Sequence, residues 1–225
     1  MVSFGFILSC WKHCGFVSQC VKSVLEQPYP HKQIVLFGEG CFHITEPVNH
    51  GIYENIRRGR VVRLNQGLEM LSTDYISFFG VDDYLLPNVL GKVAEIIERT
   101  GYKEWYYGWH YKKDNQQLIE VPPKDFDRKR LGRENYIAGG SVFLRRDIAL
   151  QHEFVGIGKG GFGDDWIMWY RVGEKYLPII IDWPIYVERI GTSRVRIPGT
   201  RKLKRRLVRG YLRWLDLKSI LASSG

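Results

Sequence analysis

At 225 residues the chain is long enough for one large domain, or for one domain with a tail. Its 44% hydrophobic content and seven tryptophans can fill a core, which excludes general disorder, and no run of about 18 uncharged apolar residues is present to make a transmembrane helix. The net charge of +9 is concentrated: ten bases and one acid lie between Arg194 and Lys218, and the rest of the chain is balanced at twenty-three of each sign, so a basic segment is attached to a neutral body.

Phe4 to Leu8 predicts a first strand rather than a basic secretory leader. Phe16 to Gln27 predicts a helix with Phe16, Cys20, Val24 and Gln27 on one stripe, ended by Pro28-Tyr29-Pro30. Gln33 to Phe37 predicts the second strand, closed by Gly38-Glu39-Gly40. Asn49 to Arg60 reads as loop plus a short helix, Val61 to Leu64 as a third strand, Asn65 to Leu71 as a helix and Tyr75 to Phe79 as a buried strand. Leu85 to Arg99 is helical, with Leu86, Val89, Leu90, Val93, Ile96 and Ile97 as its apolar stripe and Gly101 as its stop.

Further on, Glu104 to Tyr111 is strand-like, Asn115 to Arg133 a long loop, and Ser141 to Leu144 a short strand. The glycine-rich stretch Gly156–Gly163 leads into a helix from Asp164 to Arg171, and Leu177 to Trp183 is the last strand. The alternation predicts an α/β fold, a mostly parallel sheet flanked by helices on both faces. Cys10, Cys14, Cys20 and Cys41 match no tight zinc spacing and read as free thiols in a reducing, cytoplasmic setting, with a metal or disulfide role as the alternative.

Two dipeptides carry the chemistry. The apolar strand Tyr75–Phe79 runs through Gly80-Val81 into Asp82-Asp83, and the carboxyl end of such a strand is where open α/β sheets bind ligands. Two hard oxygen donors there suit Mg²⁺ or Mn²⁺ and a bound diphosphate; a solvated acidic turn is the plainer alternative. Asp164-Asp165 opens a helix after a glycine-rich loop, as a catalytic carboxylate pair or as first-turn acids complementing the helix dipole. Trp105, Tyr106, Tyr107, Trp109 and Tyr111 offer stacking faces for a sugar or base, or else a core face.

These elements, in this order, resemble the family 2 glycosyltransferases with the GT-A fold, from about Ser3 to Thr192. Ser23-Val24-Leu25-Glu26-Gln27-Pro28-Tyr29-Pro30 looks like the family's Ser-Val-Leu-x-Gln-x-Tyr-Pro, and Asn65-Gln66-Gly67-Leu68 like its Asn-x-Gly-Leu. Phe79-Gly80-Val81-Asp82-Asp83 is similar to its metal-binding acidic motif, and Asp164-Asp165 to its Glu-Asp catalytic pair. Three places depart from the pattern. Ser9-Cys10-Trp11-Lys12 stands for Pro-x-Tyr-Asn, Gly38-Glu39-Gly40 for Asp-Asp-Gly, and Gly80 for the leading acid of the metal motif.

The resemblance implies a GT-A domain over residues 1–192 and a basic amphipathic segment over 193–225. It implies metal-dependent, inverting transfer of a sugar from a nucleotide-diphosphate donor to a hydroxyl. Asp165 would be the base with Asp164 beside it, Asp82 and Asp83 the ligands of Mn²⁺ or Mg²⁺, and Ser9, Glu39, Asn65 and Asp82 the donor-binding residues. The Gly156–Gly163 loop would close over the donor, and no late histidine offers a further metal ligand. The basic segment, with Leu203, Leu207, Tyr211, Trp214 and Leu215 at helical spacing, fits a polyanionic acceptor surface. An anionic membrane carrying a lipid-linked or cell-surface glycan is the first reading, modified phage-type DNA the second, and a helix packed on the domain the third. A catalytically inactive binding domain is the non-enzymatic alternative. On the membrane reading the enzyme sits peripherally at the inner face.

Overall fold

Phe4, Phe6 and Leu8 alternate with Gly5 and Ile7 along the first strand, and every one of these residues is buried. A strand with both faces covered must be apolar throughout, and this one is central in the sheet. The computed structural model describes residues 1–11, 14–39, 46–53, 59–158, 161–191 and 200–223. Its elements in chain order are β1 (Phe4–Trp11), α1 (Val17–Leu25), β2 (Lys32–Glu39), β3 (His50–Tyr53), α2 (Arg60–Met70), β4 (Tyr75–Gly80), β5 (Tyr84–Leu85), α3 (Val89–Thr100), β6 (Trp105–Asp114), β7 (Gln117–Val121), α4 (Arg128–Leu131), β8 (Val142–Arg145), α5 (Arg146–His152), α6 (Asp164–Val172), β9 (Ile179–Arg189) and α7 (Thr200–Ser223).

The sheet runs β3-β2-β1-β4-β8-β6-β9-β5, with β7 paired to β6. The parallel arrangement holds across β3, β2, β1 and β4. Beyond β4 the sheet is mixed, because β8 lies antiparallel to both β4 and β6 while β9 returns parallel to β6. Pleating sorts the side chains into two cores. Phe4, Phe6, Leu8, Ile34, Leu36, Tyr75 and Phe79 meet the buried faces of α1 and α3. Ile7, Val35, Phe37, Ile76 and Phe78 meet α2, α5, α6 and α7 on the other side.

Several expectations are corrected. Val61 to Leu64 is not a strand; it is the first turn of α2. Leu64, Leu68 and Leu71 are buried at steps of four and three, Val62 faces solvent, and helical period outweighs the β preference of a Val-Val pair. His50–Tyr53 is a strand where loop was expected. The long loop Asn115–Arg133 contains β7 and the short α4. Asn115 takes φ 52°, a left-handed turn that Asn tolerates, and folds β7 back on β6 with Asp114 opposite Gln117. On α1 the buried stripe is Val17, Cys20, Val21 and Val24, shifted off Phe16.

Cys10 is disulfide-bonded, against the free-thiol expectation, while Cys20 is free and buried. Spacing along the chain does not show which sulfurs the fold brings together. Cys41 lies outside the described residues. Trp105, Tyr106 and Tyr107 are fully buried, Trp105 stacked on Tyr107 and Tyr106 edge-on to Tyr75, so they offer no face to a ligand. The apolar stripe that α7 buries is Val208 and Leu212, with Tyr211 and Leu215 beside them; Leu203, Leu207 and Trp214 are exposed.

Candidate active site

β4 delivers its carboxyl end at Gly80, and a turn closed by the Asp83 N–H on the Gly80 carbonyl (3.0 Å) presents Asp82 and Asp83. Gly80 is needed for this arrangement: a Cβ there would stand 2.3 Å from Asp82 Oδ1, so the missing side chain leaves room for that carboxylate over the strand end. Asp83 Oδ1 accepts the Arg189 backbone N–H at 2.9 Å. The Arg189 guanidinium donates to the Asp82 carbonyl and to Gln19, and lies over the rings of Phe16 and Tyr84. Burial, and then the neighbouring Asp82, push the Asp83 carboxyl well above the usual carboxylate range.

The chain leaving this turn is fixed from α1. Ser23 Oγ accepts the Leu85 N–H at 3.0 Å. Gln27 accepts the Val89 N–H at 2.8 Å and donates to the Leu86 carbonyl at 2.8 Å. The Ser-Val-Leu-x-Gln resemblance thus has a physical basis, since both polar residues position the acidic turn. Gly67 of the second motif lets α2 approach β1, for a Cβ there would stand 2.8 Å from Ile7.

Asp164 and Asp165 open α6 as expected, and their environments differ. Asp164 is buried and accepts from Arg60 Nε at 2.5 Å. Asp165 lines a cavity of about 1100 Å³. Its Oδ1 accepts the Trp166 N–H (2.7 Å) and its Oδ2 the Asn135 amide (3.0 Å). Burial, and then Asp164, push its carboxyl up to about 6, while Arg60 and those hydrogen bonds act in the opposite sense. Each carboxylate oxygen keeps a second lone pair, so both bonds leave Asp165 able to accept a proton.

The residue before this helix, Gly163, has φ 76°, and a Cβ there would stand 2.7 Å from Val208 of α7. Glycine here permits both the left-handed backbone and the seating of α7 on the helix start. The preceding turn is pinned by reciprocal backbone bonds between Ile157 and Phe162, at 2.9 and 3.1 Å. Lys159 and Gly160 at its tip lie outside the described residues.

The same cavity brings Asp82 and Asp83 together with Asp165, although 82 residues separate Asp83 from Asp165. Sequence reasoning missed Arg60, His110, Asn135 and Arg189, which also line it. His110 is buried with its Nε2 unbonded, 3.6 Å from Glu188 Oε2. Burial, and then Lys112, lower its pKa to about 4, so it is neutral at pH 7 and the Glu188 contact is not an ion pair there. The sequence carried a signal, since His110 interrupts the aromatic run Trp109–Tyr111 of β6.

Lys112, Lys124, Arg133, Lys202, Arg205 and Arg209 add a basic wall. Ser9 and Asn65 do not line this cavity. Ser9 sits at the carboxyl end of β1 opposite Gly80, and its carbonyl accepts the Val81 N–H. Asn65 bonds both backbone groups of Phe154, at 2.7 and 3.1 Å, and so fixes the chain that leads to the glycine-rich turn. Glu39 ends β2 opposite Trp11. Among the described residues, no cluster of three or more His, Cys, Asp or Glu side chains is poised to hold a metal ion.

Comparisons with known proteins place the fold and part of the sequence beside glycosyltransferases. The model of Glycosyl transferase family 2 matches residues 41–152, a span that ends before Asp164. The structure superimposes on S. aureus TarS 1-349 in complex with UDP with a TM-score of 0.66 at 13% identity, covering 84% of this chain and 60% of that one. For the UDP-GlcNAc complex the TM-score is 0.67 at 12% identity, covering 92% and 65%. A poly-beta-1,6-N-acetyl-D-glucosamine synthase from Staphylococcus epidermidis is 26% identical over 87 residues, which is 35% of this chain and 21% of that protein. The chain therefore spans about a fifth of that relative and about three fifths of the TarS chain. The chain has the GT-A fold of those TarS structures, and just under half of it is similar to Glycosyl transferase family 2.

Proposed function

We propose that this chain moves a sugar from a nucleotide-diphosphate donor to a hydroxyl of an anionic, cell-surface type glycan, with inversion at the anomeric carbon. The observation that carries this reading is the convergence of Asp165 and Asp82-Asp83 on one cavity. Asp165 takes the proton of the acceptor hydroxyl as that oxygen bonds to the anomeric carbon, and the nucleoside diphosphate departs from the opposite face. A single displacement of this kind inverts the centre. Asn135 and the Trp166 N–H hold the base in place, and Asp164, tied to Arg60, keeps its basicity high.

Two adjacent hard carboxylates on the cavity wall, Asp82 and Asp83, would hold a divalent cation such as Mn²⁺ or Mg²⁺. Bound there, it would neutralise the charge developing on the departing diphosphate. The raised Asp83 carboxyl supports this, because a cation relieves the like-charge pair. The basic wall from Lys112 to Arg209 supports an acceptor bearing phosphate or carboxylate.

UDP-GlcNAc is the first donor to test, since a structural relative is solved with it. Hydrolysis of a panel of nucleotide sugars, with and without Mn²⁺, should pick out one donor and respond to the metal. No turnover of any donor, with no ligand-induced rise in Tm, would defeat the reading.

A further inference from the structure

Leu203, Leu207, Gly210, Trp214, Leu217 and Leu221 follow one another along α7 at steps of four, three, four, three and four. That spacing puts them on one side of a helix, over a length of about 27 Å. It is the side opposite Val208 and Leu212, which α7 buries in the domain core. The five large residues of the stripe are 49–75% exposed. Among the described residues, this second apolar face of the docked, basic helix stays uncovered.

The flanks say what covers it. Arg206 and Arg213 border the stripe on one side, Lys204 and Lys218 on the other. The one acid of α7, Asp216, is turned inward, accepting from Tyr170 at 2.7 Å and from Arg128 at 3.0 Å. A second copy of this helix would set base against base along both flanks, where paired helices need opposite charges. A nucleic acid would use the bases but leave the leucines in water.

We propose that the outer face of α7 docks on an anionic lipid bilayer, with Leu203, Leu207, Trp214, Leu217 and Leu221 in the headgroup–acyl boundary and the flanking bases on lipid phosphates. Lys202, Arg205 and Arg209, on the sides of the helix away from the stripe, border the cavity described above. The inference does not rest on the catalytic reading, because it concerns physical binding.

The test is flotation of the full chain with phosphatidylcholine vesicles, with and without phosphatidylglycerol. The chain should float only with the anionic vesicles and retain part of its binding in high salt, since apolar burial is not screened. Leu207→Glu with Leu217→Glu should cut binding at least tenfold, with the circular dichroism spectrum and donor hydrolysis unchanged. Lys204→Ser with Lys218→Ser should weaken binding mainly at low salt. Four results would overturn the proposal: no flotation, equal flotation of the double-Glu variant, binding of duplex DNA in place of vesicles, or a dimer that the double-Glu variant converts to monomer.

Discussion

The turn at Asp82-Asp83 and the helix start at Asp164-Asp165 present the same dipeptide in two settings. At the helix start the inner carboxylate, Asp164, is matched by the partly buried Arg60 at 2.5 Å, while burial and Asp164 raise the Asp165 carboxyl to about 6. At the strand end the inner carboxylate, Asp83, is met by a backbone N–H, and its carboxyl is pushed up by burial and by Asp82. The first arrangement suits a base, the second a cation site. Sequence adjacency of two acids therefore assigns no role; the partner of the buried member does.

The largest effect should come from Asp165→Asn, which removes the proposed base and should lower turnover by about 10²–10⁴-fold with donor affinity near that of the parent. Retained turnover in Asp165→Asn, with loss in Asp164→Asn, would exchange the two roles. Next, Arg60→Ala should destabilise the fold by about 3 kcal/mol, the lower end for unpairing a buried charge because Arg60 is about a third exposed. Adding Asp164→Asn should recover much of that loss in urea unfolding, and failure to do so would remove the ion pair from the argument.

At the strand end, Asp82→Asn should abolish Mn²⁺-dependent donor binding, with the Tm of the unliganded protein little changed. In the parent, the Mn²⁺-induced rise in Tm should be larger at neutral than at mildly acid pH, since protons compete for the same carboxylates. Unchanged Mn²⁺ response in the variant would reject the site.

The smallest effect is a shift in a pH profile. The folded Asp165 carboxyl lies above its ordinary value, so the native state is penalised as pH rises from the ordinary carboxylate range through about 6, and activity should switch on over that interval. Asp164→Asn removes the like charge and should move the acid limb of the profile downward by up to about one pH unit. A limb that stays in place would dissociate the two aspartates.

Much of the fold was legible because its signals are local. Apolar runs marked β1, β2 and β4, the three-four rhythm of Val89 to Ile97 marked α3, and both acidic pairs stand where strand end and helix start were expected. The failures also have local causes. Val61-Val62 favours a strand until Leu64, Leu68 and Leu71 impose helical period. The aromatic run of β6 looked like a stacking platform, but its first residues fill the core, and His110 and Lys112 further along the strand reach the cavity.

What the sequence determined by itself was the class: an α/β chain with carboxylates at a strand end and at a helix start, and a basic helix beyond. Only tertiary structure decided that Asp82 and Asp165 share a cavity, that Arg60 neutralises Asp164 from 104 positions away, and that Arg189 clamps the acidic turn. Those pairings depend on distances between segments that no local period encodes. Helix α7 shows the same division. Its sequence carries two apolar stripes, and the fold buries Val208 and Leu212 because Gly163 leaves a gap for Val208, which turns Leu203, Leu207 and Trp214 outward.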